Sequence, residues 1–285
     1  MNQQPTGTIH YRDRTIALYT GDATTTLAGL PEQSVDCVVT SPPHWRLRDY
    51  STRRRIGCNS MCMHVPGSVR DRTTLHADRQ HGREPNPRAY VDRLRAVLDE
   101  VRRVLADTGT LWLSLVDSYL VGIPWLVAFA LQRDGWILRN AIVWNKPTAL
   151  AEPVRDRSSS RYELLFLLSK QQKYHFNLDA IRQPRIRPAG TARGKNPGDV
   201  WSLPTQPQRE VRFAAFPIHL PLRCIAAGCP TGGVVLDPFS GAGTTGLAAR
   251  RLGRRYVGVD LEPEQHEIAV RRLGLPTQQP CRSTA

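Results

Sequence analysis

Apolar residues in this chain fall into short continuous runs separated by stretches of helical period. Val35-Asp36-Cys37-Val38-Val39, Thr110 to Ser114, Trp136 to Trp144, Glu163 to Ser169, Val234 to Leu236 and Arg255 to Val259 have the length of strands. Thr15 to Tyr19 is a further strand candidate, closed by Gly21-Asp22. Between these runs the period changes. Tyr90, Val91, Leu94, Val97, Leu98, Val101, Val104 and Leu105 recur at helical spacing after the cap pair Asn86-Pro87, and Gly109 stops them. Residues 24–34 read as a short helix and turn, 123–133 as an apolar helix, Pro217 to about Gly228 as another, and Leu247 to Leu252 as a last one. Strands alternating with helices predict an α/β fold, a mostly parallel sheet with helices on both faces.

Two stretches break the pattern. Residues 46–86 are rich in Arg, with scattered Gly and Pro and little apolar period, and 183–212 are rich in Pro, Gly and Arg. Both read as insertions or surface loops on a single domain spanning 1–285.

The ends of two strands carry the chemistry. The first strand runs into Thr40-Ser41-Pro42-Pro43-His44-Trp45. Both prolines lack an N–H and have a locked φ, which predicts a stiff turn with unpaired carbonyls. With the Ser41 hydroxyl, such carbonyls accept hydrogen bonds from an amino group. His44 and Trp45 add flat faces for stacking, so the turn suits an amino-bearing nucleobase. Far downstream, Val234-Val235-Leu236-Asp237 runs into Pro238-Phe239-Ser240-Gly241-Ala242-Gly243-Thr244-Thr245-Gly246. Gly241, Gly243 and Gly246 keep the G-x-G-x-x-G spacing between a strand and a helix, where ligands approach the backbone and the helix N-terminus favours negative charge. Asp260 ends the next strand and has the position of a carboxylate that holds ribose hydroxyls. Both turns lie at carboxyl ends of predicted parallel strands. They share one crevice if Val234–Asp237 lies beside Val35–Thr40.

Charge supports a polyanionic partner. The chain carries a formal net charge of +14, and only four of its 39 basic residues are lysine. A GC-rich genome explains the Arg/Lys ratio but not the excess of charge, which favours nucleic acid. The arginines at 53–55, 70, 72, 79 and 83 and those at 182–193 are candidates to line it. The first residues are polar, with no apolar leader segment, and no apolar run approaches the ~20 residues of a membrane span. Six cysteines in 285 residues do not make a disulfide framework, so the expected setting is a reduced cytoplasm.

Taken in order, these motifs resemble the β class of amino-type DNA methyltransferases. The likeness covers Gly21-Asp22, Thr40 to Trp45, Leu111 to Tyr119, Trp144 to Pro147, Asp156-Arg157, Ala215-Phe216-Pro217, Asp237 to Thr245 and Tyr256 to Asp260. The resemblance implies a Rossmann-like methyltransferase fold with permuted motif order, S-adenosyl-L-methionine as methyl donor and a flipped base of double-stranded DNA as acceptor. It implies an enzyme of restriction-modification type, with a cognate endonuclease as a possible partner and a homodimer as a possible assembly. Serine before Pro-Pro resembles the cytosine-N4 enzymes; adenine-N6 is the alternative. By this likeness Ser41, Pro42, Pro43 and His44 serve catalysis, and His44 and Trp45 flank the base. Asp22, Phe216, Asp237, Phe239, Gly241, Gly243, Thr244, Thr245 and Asp260 serve the donor. Two residues depart from the family pattern: His44 replaces the usual Tyr or Phe, and Arg212 replaces a usual His.

Other readings explain less. A nicotinamide-dependent dehydrogenase accounts for the glycines and Asp260 but not for the Ser-Pro-Pro turn or the charge. A binding module without catalysis leaves both pockets unused. Cys58-x3-Cys62 with His76-x4-His81, and His64 nearby, approaches a zinc-finger spacing. The segment lacks the apolar residues on which a finger packs, so it reads as a basic loop rather than a metal site.

Overall fold

A computed structural model of the chain describes residues 7–46, 81–117, 120–148, 154–184, 194–205 and 216–276. Within them the strands are β1 (Thr8–Arg12), β2 (Ile16–Thr20), β3 (Val35–Thr40), β4 (Leu105–Leu115), β5 (Ile137–Asn145), β6 (Tyr162–Ser169), β7 (Val200–Ser202), β8 (Val234–Asp237) and β9 (Arg255–Asp260). The helices are α1 (Ala23–Ala28), α2 (Pro87–Val104), α3 (Ile123–Arg133), α4 (His219–Gly228), α5 (Thr244–Arg251) and α6 (Pro263–Arg272). The strands form one sheet in the order β1-β2-β9-β8-β3-β4-β6-β5-β7. Only β1 and β6 run against the rest.

Side-chain alternation along the central strands sorts the core into two layers. Val38, Leu111, Leu113 and Leu236 face one way, onto Leu27 of α1, Leu94 and Leu98 of α2 and Val127 of α3. Cys37, Val39, Trp112 and Val235 face the other, onto Leu220 and Ile225 of α4, Ala248 of α5 and Ala269 of α6. Both faces being covered, the middle strands read as unbroken apolar runs.

The expected α2 begins as its sequence indicates: Asn86 Oδ1 caps it by accepting from Ala89 N at 2.9 Å, with Pro87 in the first turn. It ends at Val104, and the chain enters β4 at Leu105, before Gly109. The pairing with β3 slips between Val35–Leu105 and Cys37–Thr110, so the regular strand still starts at Thr110.

Three differences from the sequence reading stand out. β6 is antiparallel to β4 and β5, because β5 and β6 form a hairpin (Asn145 opposite Tyr162) rather than a crossover unit. The segment read as a loop over a surface contains β7, and its Trp201 is buried against Trp112, ring centroids 6.1 Å apart. β1 and α6 complete the sheet edge and the second layer without having been read from the pattern.

Candidate active site

β3 and β8 are parallel neighbours, with Cys37 opposite Val235 and Val38 opposite Leu236. The Ser-Pro-Pro turn and the glycine turn therefore leave the same edge of the sheet side by side. A buried carboxylate joins them. Asp237 Oδ1 accepts from Thr40 Oγ1 at 2.6 Å and from Phe239 N at 3.1 Å. Asp237 Oδ2 accepts from Thr245 Oγ1 at 2.7 Å, and that hydroxyl also lies 3.3 Å from the Val39 carbonyl. Burial raises the Asp237 pKa to about 6, against the opposing pull of these donors.

The Ser41-Pro42-Pro43 turn is held from below. Trp45 is buried; its Nε1 donates to the Glu84 carbonyl at 2.9 Å, and the Arg46 guanidinium sits 4.9 Å above its ring. Ser41, Pro43 and His44 are partly exposed, and Pro42 is buried. The expectation of unpaired carbonyls needs one correction: Tyr90 Oη of α2 donates to the Pro43 carbonyl at 3.0 Å. Gly82 also presses on the turn. Its φ is +93°, its carbonyl accepts from Arg46 N at 2.8 Å, and a Cβ there would lie 2.6 Å from the His44 carbonyl oxygen.

On the other side, Gly246 lets α5 lie on β9, since a Cβ there would meet Tyr256 Cε1 at 2.6 Å. At Gly241 (φ +50°) a Cβ would meet nothing within 4 Å, so the turn has open space beside it. Gly243 caps α5. Asp260, partly exposed, accepts from Gly241 N at 2.7 Å and from Glu262 N at 2.9 Å, and burial raises its pKa to about 6. A carboxylate has about four acceptor positions, so two backbone donors leave capacity for more. The site thus pairs an acceptor-lined, aromatic turn with an open glycine turn flanked by a carboxylate.

A family described as DNA methylase matches residues 35–271. Over 90% of this chain and 87% of its own length, the type II methyltransferase M.Cfr9I of Citrobacter freundii is 37% identical. The chain is a member of the DNA methylase family. Among solved structures, the PvuII DNA methyltransferase (cytosine-N4-specific) superposes on 97% of the methylase with 92% of its own chain, at a TM-score of 0.72 and 18% identity. TTHA0409 of Thermus thermophilus, solved in complex with S-adenosyl-L-methionine, covers 90% of the methylase with 94% of its chain, at 26% identity and a TM-score of 0.57. The methylase therefore has the α/β fold of these enzymes, with the Ser-Pro-Pro turn preceding the glycine turn in sequence.

Several candidate residues of the methylase prove to be engaged with the protein itself. Asp237 and Thr245 brace the two turns. Thr244 Oγ1 accepts from Arg272 Nη1 at 3.1 Å, and the same guanidinium bonds the Ala242 carbonyl. Asp22 caps α1, accepting from Thr25 N at 3.1 Å. Phe239 packs on the α2 layer and Phe216 on the α4 layer, on opposite faces of the sheet. Cys58, Cys62, His64, His76 and Arg212 lie outside the described residues. Among the described residues no cluster of His, Cys, Asp or Glu has metal-holding geometry. His81, the last of the zinc-like series, packs edge-on against Phe239 with ring centroids 5.2 Å apart. No helix of the described residues is long and apolar enough to cross a membrane.

The sequence reading missed Tyr90 and Gly82 as parts of the site. Tyr90 is the first apolar-face residue of a regular helix, and its hydroxyl gives no sign in the pattern. Gly82, beside a buried His81, lies in a segment whose arginines and Cys/His spacing drew the reading and whose glycine gave no signal.

Proposed function

We propose that this methylase transfers the methyl group of S-adenosyl-L-methionine to the exocyclic N4 of a cytosine flipped out of double-stranded DNA. The observation that carries this reading is the adjacency of the Ser41-Pro42-Pro43 turn and the glycine turn across the β3–β8 pair. The open side of Gly241 and the spare acceptor capacity of Asp260 fit a nucleoside-bearing donor. S-adenosyl-L-methionine supplies a methyl already activated on a sulfonium. Asp260 takes the ribose hydroxyls, and the Gly241–Thr245 turn receives the methionine end. Phe239 and Phe216 are walls of this half, Asp22 stands at its rim, and Asp237 fixes its distance from the acceptor turn.

An aromatic amino group is a weak nucleophile because its lone pair is delocalised into the ring. Ser41 Oγ and the Pro42 carbonyl accept its two hydrogens and turn the lone pair out of the ring plane. The new N–C bond forms as the C–S bond breaks, and the amino proton is lost to solvent. Positioning supplies much of the rate. His44 stacks on the base, while Trp45 anchors the turn. Flipping costs a few kcal/mol. The basic insertions 46–86 and 183–212, within one catalytic domain, supply DNA contact and target choice. No thiol is needed. Cys37, Cys224 and Cys229 are buried, and burial raises all three thiols, Cys229 to about 12.

Labelled S-adenosyl-L-methionine, DNAs of varied sequence and nucleoside mass spectrometry test the proposal. The expected product is 4-methylcytosine. Product 6-methyladenine overturns the base assignment, and absence of label from every DNA overturns the acceptor class. Ser41→Ala is expected to lower turnover roughly 10²-fold with donor affinity little changed.

A further inference from the structure

His81 is only 6% exposed, and its Nδ1 has no hydrogen-bond partner among the described residues. A buried polar atom left unpaired is costly, so one that persists calls for a ligand or a reason. Its surroundings point to a ligand. One edge of the ring meets Phe239, the residue that leads into the glycine turn. Asp22, beside Gly21 whose N–H bonds the Asp260 carbonyl at 2.9 Å, acts on it electrostatically. His81 thus faces two elements of the donor side. Its own loop is fixed to the acceptor side: Gly82 N donates to Glu84 Oε2 at 2.9 Å, and Gly82 lies against the His44 carbonyl. The imidazole cannot drift without moving that turn.

We propose that His81 is a donor-contacting residue whose Nδ1 hydrogen-bonds a polar atom of S-adenosyl-L-methionine held between Phe239 and Asp22. The inference rests on the reading of the glycine turn as the donor site. Burial, aided by the nearby Arg93 charge, lowers the His81 pKa to about 4, so the group is a neutral imidazole at ordinary pH. Its contribution is a hydrogen bond, not a charge, and is constant from about pH 5.5 to 8.

The experiment measures binding of S-adenosyl-L-methionine and of S-adenosylhomocysteine to the full chain by calorimetry without DNA, alongside thermal unfolding of the free protein. His81→Leu is expected to weaken both ligands about tenfold, the worth of one hydrogen bond to a buried partner. Its free-protein Tm should stay level or rise, since an unpaired polar atom is gone. His81→Gln, which keeps a polar terminus, should recover most of the affinity. Affinity of His81→Leu within about twofold of wild type overturns the proposal, as does equal weakening by Leu and Gln. Asp260→Ala separates the two readings. If it weakens the donor while His81→Leu does not, only the His81 contact fails; if neither matters, the donor site itself is misplaced.

Discussion

Thr40 Oγ1 donates a 2.6 Å hydrogen bond to Asp237 Oδ1, joining residues 197 positions apart. One buried carboxylate thereby sets the spacing between the two turns, and its charge is expensive. The folded pKa of Asp237, about 6, lies above the ordinary carboxylate value of 3.8. The folded state therefore holds the proton more tightly than the unfolded state. That contribution is complete below about pH 4 and is lost as pH rises through 6.

Asp237→Asn isolates this effect. An amide keeps an oxygen for Thr40 and Phe239 N, and the Thr245 hydroxyl can turn to the Val39 carbonyl. Urea unfolding at about pH 4 and pH 8 should show the variant gaining on wild type by on the order of 3 kcal/mol across that interval. A difference independent of pH would contradict the assignment of a buried, titrating Asp237.

Tyr90→Phe removes the donor to the Pro43 carbonyl and keeps the ring. The expected loss is about 1 kcal/mol of stability. Single-turnover methylation should slow while calorimetric donor affinity stays unchanged, because the hydroxyl that is removed bonds the Ser41-Pro42-Pro43 turn.

Donor affinity should fall at acid pH. Only the ionised Asp260 is a pure acceptor, and its pKa in the free protein is about 6. The dissociation constant for S-adenosyl-L-methionine should rise as pH drops through 6, by about tenfold at pH 5 relative to pH 8. Asp260→Asn should be weaker at pH 8 and flat over the same range, as titration calorimetry at several pH values would show.

Two glycine substitutions should separate stability from binding. Gly82→Ala puts a methyl 2.6 Å from the His44 carbonyl oxygen at a φ of +93°, so we expect a loss of about 1–3 kcal/mol and a displaced, slow acceptor turn. Gly241→Ala meets no protein atom within 4 Å. It should cost about 1 kcal/mol in stability yet weaken the donor markedly, because its methyl projects into the space beside the turn. Thermal unfolding and calorimetry on both variants check the contrast.

The central sheet was legible because β3, β8 and β9 are buried on both faces, and such strands announce themselves as short apolar runs. The expectation that the two turns sit side by side followed from the rule that parallel strands offer ligands their carboxyl ends, and the β3–β8 pairing bears out that adjacency. What was hidden depends on tertiary context. The direction of β6 is set by a hairpin whose strands are separated by a long connection between Asn145 and Tyr162, with no turn signature to mark it. Trp201 looked like part of a basic loop because its three-residue strand is flanked by Pro, Gly and Arg; only the Trp112 face it covers makes it core. His81 was grouped with cysteines by spacing, whereas the fold sets it beside Phe239.

Because β3 and β8 are far apart in sequence, their two turns meet only once the chain has been made through residue 237. A ribosome-bound chain ending before residue 234 would expose the flank of β3 that β8 later occupies, an open strand edge with a strong tendency to associate. Long-range pairing of this kind is slow to form.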